Sequence, residues 1–233
     1  MDIRERLAAV RRRIEAATEA AGRQANPPEL IVVTKFHPAD DVRRLAALGV
    51  TDVAENRDQE ASEKAATLKE LRLRWHFVGQ LQSNKAKSVV RYAHAVHSVD
   101  RPQLAAALAK AVPAEQEKTG RGPLECFIQV SLDEDAGSHR GGAARLEVPA
   151  LADQVAGSPG LVLAGLMAVA PLGSDPDAAF GKLAEISARL LTDHPAASGI
   201  SAGMSQDLEA AVRAGATHLR IGSDILGSRP ALR

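Results

Sequence analysis

Leu30-Ile31-Val32-Val33, running into Thr34-Lys35, restricts this chain more than any other stretch. Consecutive aliphatic residues rich in β-branched side chains read as a strand buried on both faces, not one alternating between core and solvent. The run ends abruptly at the lysine. Beyond it Pro38 suits the first turn of a helix, Asp40 and Asp41 complement that helix's positive end, and Val42, Leu45 and Leu48 give it an apolar stripe. Lys35 is therefore placed where a buried strand emerges, just before its crossover helix, and ligands of α/β folds collect at that carboxyl edge. A solvated lysine closing a strand fits the same local pattern, so the rest of the chain must decide.

From Leu30 onward the alternation repeats. Further strands are predicted over Val50–Ala54, Arg74–Val78, Ala95–Val99, Leu124–Leu132, Leu161–Ala170, a short run around Gly199–Ser201, and Thr217–Ile221. Helices are predicted between them: through Leu68, through Tyr92, over Pro102–Val112 with Asp100 as its cap, to about Ala156, over Pro176–Leu191, from near Ser205, and a final turn over Gly222–Leu226. Pro113–Pro123 reads as a polar surface connection and Asp133–Gly142 as a glycine-containing loop. Eight strands, each followed by a helix or helical turn, suit an eight-stranded parallel barrel better than an open sheet at this length of 233 residues. A local echo agrees: in Leu48-Gly49-Val50-Thr51-Asp52-Val53 and in Ala214-Gly215-Ala216-Thr217-His218-Leu219 a glycine ends a helix and a short turn feeds a strand. Ahead of the barrel, Ile3, Leu7, Val10 and Ile14 recur at helical spacing. Residues 1–22 are thus expected as a leading amphipathic helix packed outside the barrel, with Gly22 as its stop. No linker divides the chain, so residues 1–233 read as one domain.

Charge bounds the partners. With 29 basic and 29 acidic residues the chain carries no net field for nucleic acid or an anionic membrane, and Arg11-Arg12-Arg13 reads as a solvated helix face. One cysteine, Cys126, excludes an intrachain disulfide framework and fits a reducing, cytoplasmic setting. No signal-peptide pattern or bilayer-length apolar run is present. His94-x-x-His97 with Cys126 is a poor metal set, because the two histidines fall on a helix end and a strand.

In barrels of this kind the loops after the seventh and eighth strands often hold a phosphate. Here they read Ser201-Ala202-Gly203-Met204-Ser205 and Ile221-Gly222-Ser223. Small residues let backbone N–H groups approach an anion, hydroxyls donate, and each loop leads into a helix start. The helix dipole adds only about 0.3–1 kcal/mol per end, so hydrogen bonds must do most of the holding. Taken singly, these serines could equally be helix caps.

A lysine after strand one, phosphate loops after strands seven and eight, and Arg220 between them form a pattern. Together with Val32-Val33-Thr34-Lys35, Glu55-Asn56, Trp75-His76-Phe77-Val78-Gly79-Gln80-Leu81-Gln82-Ser83-Asn84-Lys85, Ala164-Gly165-Leu166-Met167, Gly203-Met204-Ser205-Gln206-Asp207-Leu208-Glu209-Ala210-Ala211 and Arg220-Ile221-Gly222-Ser223-Asp224-Ile225-Leu226-Gly227, it resembles the YggS/PROSC family of pyridoxal 5′-phosphate (PLP) homeostasis proteins. That family shares its barrel with the N-terminal domain of alanine racemases. The resemblance implies a single (β/α)8 TIM barrel of that type with an extra leading helix. It implies that Lys35 forms a Schiff base with the aldehyde of PLP. That reaction needs the neutral amine, about one lysine in a few thousand at pH 7 for an ordinary pKa, and burial at the strand end is expected to raise the fraction.

By the same resemblance Ser201, Ser223 and the backbone around Met204 and Gly222 hold the phosphate, and Arg220 faces the pyridine nitrogen. Asn56 contacts the cofactor near its phenolic oxygen or imine, and Met167 packs on the ring. His76 is expected as a structural hydrogen-bonder. The chain departs from the family's habit at Ala54, commonly glycine, at Phe36-His37, and in the Asp133–Gly142 loop, which has His139 and Arg140 but no lysine. The implied function is storage, buffering or delivery of PLP, with a weak amino-acid racemase as the alternative. The only tyrosine, Tyr92, sits on a predicted helix, a poor place for a second base. Handover to PLP-dependent apoenzymes is a hypothesis about partners, and alanine-rich helices permit a monomer or a weak dimer.

Overall fold

The apolar runs become β1 (Glu29–Val33), β2 (Asp52–Glu55), β3 (Arg74–Phe77), β4 (Ala93–Val99), β5 (Leu124–Gln129), β6 (Leu161–Met167), β7 (Gly199–Ser201) and β8 (His218–Ile221). The computed structural model describes residues 1–133 and 141–227. The strands pair in chain order, and β8 returns to β1 to close the barrel. Every pairing is parallel, with Val32 beside Val53, Val53 beside Trp75, and Ile31 beside Arg220. Helices α1 (Ile3–Ala20), α2 (Ala39–Ala47), α3 (Asp58–Thr67), α4 (Ala86–Val89), α5 (Pro102–Thr119), α6 (Val148–Ala156), α7 (Pro176–Asp193), α8 (Leu208–Arg213) and α9 (Ser223–Leu226) surround them. No described helix is long and apolar enough to cross a membrane.

The leading helix forms for local reasons. The Asp2 carboxylate accepts from Glu5 N at 2.8 Å while the Glu5 carboxylate accepts from Asp2 N at 2.9 Å, a reciprocal cap that satisfies two otherwise orphaned donors. Leu7, Val10 and Ile14 then bury one face, packed on α8 and α9.

Several boundaries differ from expectation. The stretch read as a connection from Pro113 is helical: α5 runs through Pro113 to Thr119, because losing one backbone donor does not outweigh the helix formers from Ala114 to Lys118. Asp100 does not cap it; Arg101 is the N-cap residue and ion-pairs with Asp100. The helix expected through Tyr92 is one turn, α4. β5 stops at Gln129, where Ala143 N donates to Gln129 O at 2.8 Å and the chain pairs with its own returning loop. The helix expected from Ser205 begins only at Leu208. The expectation for His139 and Arg140 lies outside the described residues.

Two layers result. Between strands and helices lies a continuous apolar core that includes Val32, Val53, Phe77, Ile128, Phe180 and Leu219. Inside the ring the buried apolar cluster is small, Ala95, Phe127 and Met167, and His76, His97, Ser201 and Arg220 are buried as well. Barrel interiors are ordinarily filled by branched aliphatics, so a polar interior marks where chemistry has displaced packing.

Candidate cofactor site at the carboxyl end of the barrel

Lys35 follows β1 and Asn56 follows β2. Because Val33 pairs with Ala54, the two side chains start from the same level of the rim. Lys35 is half-buried rather than enclosed, and its amine has no hydrogen bond or ion pair with the described residues. Its neighbours are held firmly. Thr34 Oγ1 donates to Glu55 Oε1 at 2.6 Å, and Phe36 N donates to Glu60 Oε1 at 2.8 Å. Lys64 ties these together, donating to Thr34 O at 2.9 Å and to Glu55 Oε1 and Glu60 Oε1 at 2.7 Å each. Burial pushes the Glu55 carboxyl up, against the opposing pull of Lys64. Phe36 has φ +68°, a left-handed backbone that costs a non-glycine residue about 1–2 kcal/mol. The Glu60 hydrogen bond and the Arg57 guanidinium 5.4 Å from its ring hold it there.

Asn56 Oδ1 is buried with no hydrogen-bond partner among the described residues. A buried acceptor left open is unusual and marks a position meant for a ligand donor or water. Gly79 permits this arrangement, since a Cβ on it would sit 2.1 Å from Asn56 O.

Across the ring, Met167 ends β6 and Ser201 ends β7, paired in register. Arg220 on β8 is 5% exposed and donates through Nη1 to Ser201 Oγ at 2.7 Å and through Nη2 to Ala168 O at 3.0 Å. Desolvation pushes its pKa down to about 10, which still leaves a cation at neutral pH. Both partners are neutral, and a guanidinium has further donors to place. Ser201, expected at the phosphate, has its side chain engaged by Arg220. Its hydroxyl is buried beneath Arg220, with His97 as its other partner at 2.8 Å.

The two anion loops do meet. Ser205 Oγ and Ser223 Oγ are 3.3 Å apart, and a Cβ on Gly222 would come within 3.0 Å of Val33 O, so that loop lies against the end of β1, two residues before Lys35. Met204 N donates to the Asp207 carboxylate at 2.6 Å, an anion already seated on a donor assigned to phosphate. α9 is a single turn and α8 starts four residues after Met204, so helix dipoles contribute less here than the sequence suggested. Arg13 clamps both loops: it donates to Asp224 at 2.7 Å, to Ser205 O at 3.1 Å and to Glu209 at 3.0 Å. The arginine run thus supplies more than a solvated face.

Residues 6–230 match the family model for the alanine racemase N-terminal domain. A pyridoxal phosphate homeostasis protein of Mycobacterium tuberculosis is 46% identical over 96% of this chain and 91% of its own. One from Escherichia coli is 36% identical over 98% and 97%. The structure of PipY from Synechococcus elongatus, solved with PLP bound, superposes with a TM-score of 0.79 at 34% identity, covering 97% of this chain and 100% of that one. The chain belongs to the pyridoxal phosphate homeostasis protein family.

The family's barrel is the alanine racemase N-terminal type, as the sequence implied. The residues of this chain also fit the cofactor named in that family. The open Asn56 acceptor, the buried Arg220 with neutral partners, and the unpaired Lys35 amine offer a ligand what an aldehyde-bearing, anionic pyridine requires. Glu60 and Lys64 carried no expectation from the sequence, and Arg13 was expected only on a solvated face. Glu60 and Lys64 stand four apart on α3, a spacing that announces an ion pair, but nothing in it says that the pair binds the backbone on either side of Lys35. Among the described residues no group of three or more histidine, cysteine, aspartate or glutamate side chains could hold a metal ion.

Proposed function

We propose that this protein holds pyridoxal 5′-phosphate covalently through Lys35 and serves in its homeostasis, as a store, buffer or donor rather than as an enzyme turning over amino acids. When bound, the cofactor supplies an aldehyde for a lysine amine, a ring nitrogen that accepts a hydrogen bond, and a phosphate that needs donors. Lys35 provides the amine. Ser223, Ser205 and the backbone at Gly222 would provide the phosphate donors, Asn56 would sit beside the lysine and Met167 would pack on the ring, whereas the Met204 N–H is engaged by Asp207. Ser201 supports Arg220 instead of touching the phosphate.

The observation that carries this reading is Arg220, a buried guanidinium with neutral partners and donors to spare, inside the barrel whose end carries Lys35, an amine with no partner among the described residues. An arginine donates a hydrogen bond there without passing on a proton, which makes a weaker electron sink than a carboxylic acid would. That favours holding over carbanion chemistry. Tyr92 supports the same view: its hydroxyl donates to Asp58 at 3.3 Å, and burial with the Asp58 charge holds its phenol far above the usual range, so it is no base opposite Lys35.

Incubation with PLP, borohydride reduction and peptide mapping test the reading. Label on the Lys35 peptide, lost in Lys35→Ala, is expected; label elsewhere or nowhere overturns it. Loaded protein mixed with L-alanine is expected to change optical rotation no faster than free cofactor does, and faster turnover would make it an enzyme.

A further inference from the structure

A single file of polar side chains runs through the barrel, and the cofactor reading does not use its lower half. It begins at Asp52, the first residue of β2, whose carboxylate binds Arg74 at 2.7 Å and Thr51 Oγ1 at 2.7 Å. His76 Nε2 lies 2.9 Å from Asp52 Oδ1, and His76 Nδ1 lies 2.9 Å from His97 Nε2. His97 Nδ1 is 2.8 Å from Ser201 Oγ, which accepts from Arg220 Nη1. β4 and β7 are not neighbours in the ring, so His97 and Ser201 meet only through its interior. The His97 ring is stacked on Phe127 with centroids 4.3 Å apart.

Each proton in this file has one satisfactory place. Burial alone would raise the Asp52 carboxyl, but hydrogen bonds from His76, Arg74 and Thr51 outweigh it, hold the carboxyl well below the usual range and leave Asp52 an acceptor. His76 Nε2 must therefore carry a hydrogen. Ser201 already accepts from Arg220, and the only described acceptor for its own hydrogen is His97 Nδ1. A neutral His97 then carries its hydrogen on Nε2 and donates to His76 Nδ1, which is bare. Reversing any link strands the Ser201 hydrogen in a buried site, at a cost of about 1–3 kcal/mol. All four bonds consequently point from Arg220 toward Asp52, and donors aligned in this way reinforce one another.

We infer that Ser201, His97 and His76 form a one-directional hydrogen-bond relay that positions Arg220, satisfying the inner side of its guanidinium with neutral groups and reserving its remaining N–H donors for the cofactor ring. The anion at the far end of the relay, Asp52, is already paired with Arg74, and the anion that acts on Arg220 from a distance is Asp207. A carboxylate in direct contact would instead compete for those donors and draw the guanidinium inward. These are positioning residues, acting on the ligand through Arg220. The ligand half of the inference rests on the PLP reading; the relay itself does not.

Two experiments test it. In the cofactor-free protein at neutral pH, ¹⁵N imidazole spectra are expected to show both Nδ1 atoms of His76 and His97 bare and both Nε2 atoms protonated. A protonated His97 Nδ1 overturns the relay. Second, PLP binding and the absorbance of the lysine-linked cofactor are compared in wild type, Ser201→Ala, His97→Phe, Arg220→Gln and the His97→Phe/Arg220→Gln double variant. Phenylalanine keeps the stacking on Phe127, and Ser201→Ala carries the comparison alone should His97→Phe not fold. Each relay variant is expected to weaken binding about tenfold, the scale of one hydrogen bond to a charged group, and to shift the absorbance. The double variant should bind no more weakly than Arg220→Gln, because two groups acting through one contact are not additive. Unchanged affinity and absorbance, or additive losses, overturn the inference. A wild type that takes no label at Lys35 sinks the PLP reading instead and leaves the ¹⁵N result to judge the relay.

Discussion

The space between the strands and their helices is filled by valine, leucine, isoleucine and phenylalanine, while the space the strands enclose is threaded by an aspartate, two histidines, a serine and an arginine. The outer layer draws on area removed from water, roughly 25 cal/mol per Å², and tolerates no gap. The interior draws on complete hydrogen bonding, in which each polar group must find a partner. Stability and ligand chemistry are therefore separated radially, and the separation can be attacked from either side.

The largest effect is expected from Phe180→Ala, on α7 in the outer layer. A wholly buried phenylalanine reduced to alanine should cost about 3–5 kcal/mol in urea unfolding, with cofactor affinity of the folded protein unchanged. A marked loss of affinity with little loss of stability would break the division. Next comes Lys64→Met, which strips the cation from between Glu55 and Glu60 where the two regions meet. Leaving a buried carboxylate uncompensated should cost about 3 kcal/mol, and slackening the turn that presents Lys35 should slow its labelling as well.

Acid should act mainly through buried histidines, opposed by Glu55, whose carboxyl burial raises. Burial holds His97 well below its ordinary value and His218 at about 4. In the unfolded chain both take up protons near pH 6.5, so below that pH the unfolded state binds protons that the native state refuses. Stability should fall as pH drops from about 6.5 toward 4, by at most about 1.4 kcal/mol per pH unit for each imidazole. Asp52, depressed in the fold, contributes its loss only below about pH 4, outside this window. Urea midpoints between neutral pH and about pH 5 measure the slope, and His218→Phe should flatten it. Smallest is Asp2→Ala, which removes the reciprocal cap of α1: about 1 kcal/mol in the same assay, with no change in the pH slope.

Much of this was legible. The β1 run and its lysine, the order of strands, and the loops around Gly203 and Gly222 declare themselves because buried parallel strands and tight loops have strong local signatures. Pro113 misled because proline is a statistical helix breaker, whereas one missing hydrogen bond in a long helix is tolerable. Ser205 misled because a cap residue and a turn residue look alike: the Asp207 carboxylate takes the Met204 N–H and delays the helix. His76 was readable as a hydrogen-bonder, but its alignment with His97 and Ser201 was not. Those residues sit on strands three, four and seven, and only closure of the ring brings the last to the others. Sequence places Ser201 on its loop without telling that its hydroxyl meets Arg220 and His97.

The clamp formed by Arg13 carries a practical corollary. The front of the chain behaves as a brace across the loops around Gly203 and Gly222, although it contributes no strand. In a folded variant with Arg13→Ala, weakened phosphate retention would point to a loosened brace before it pointed to a damaged pocket.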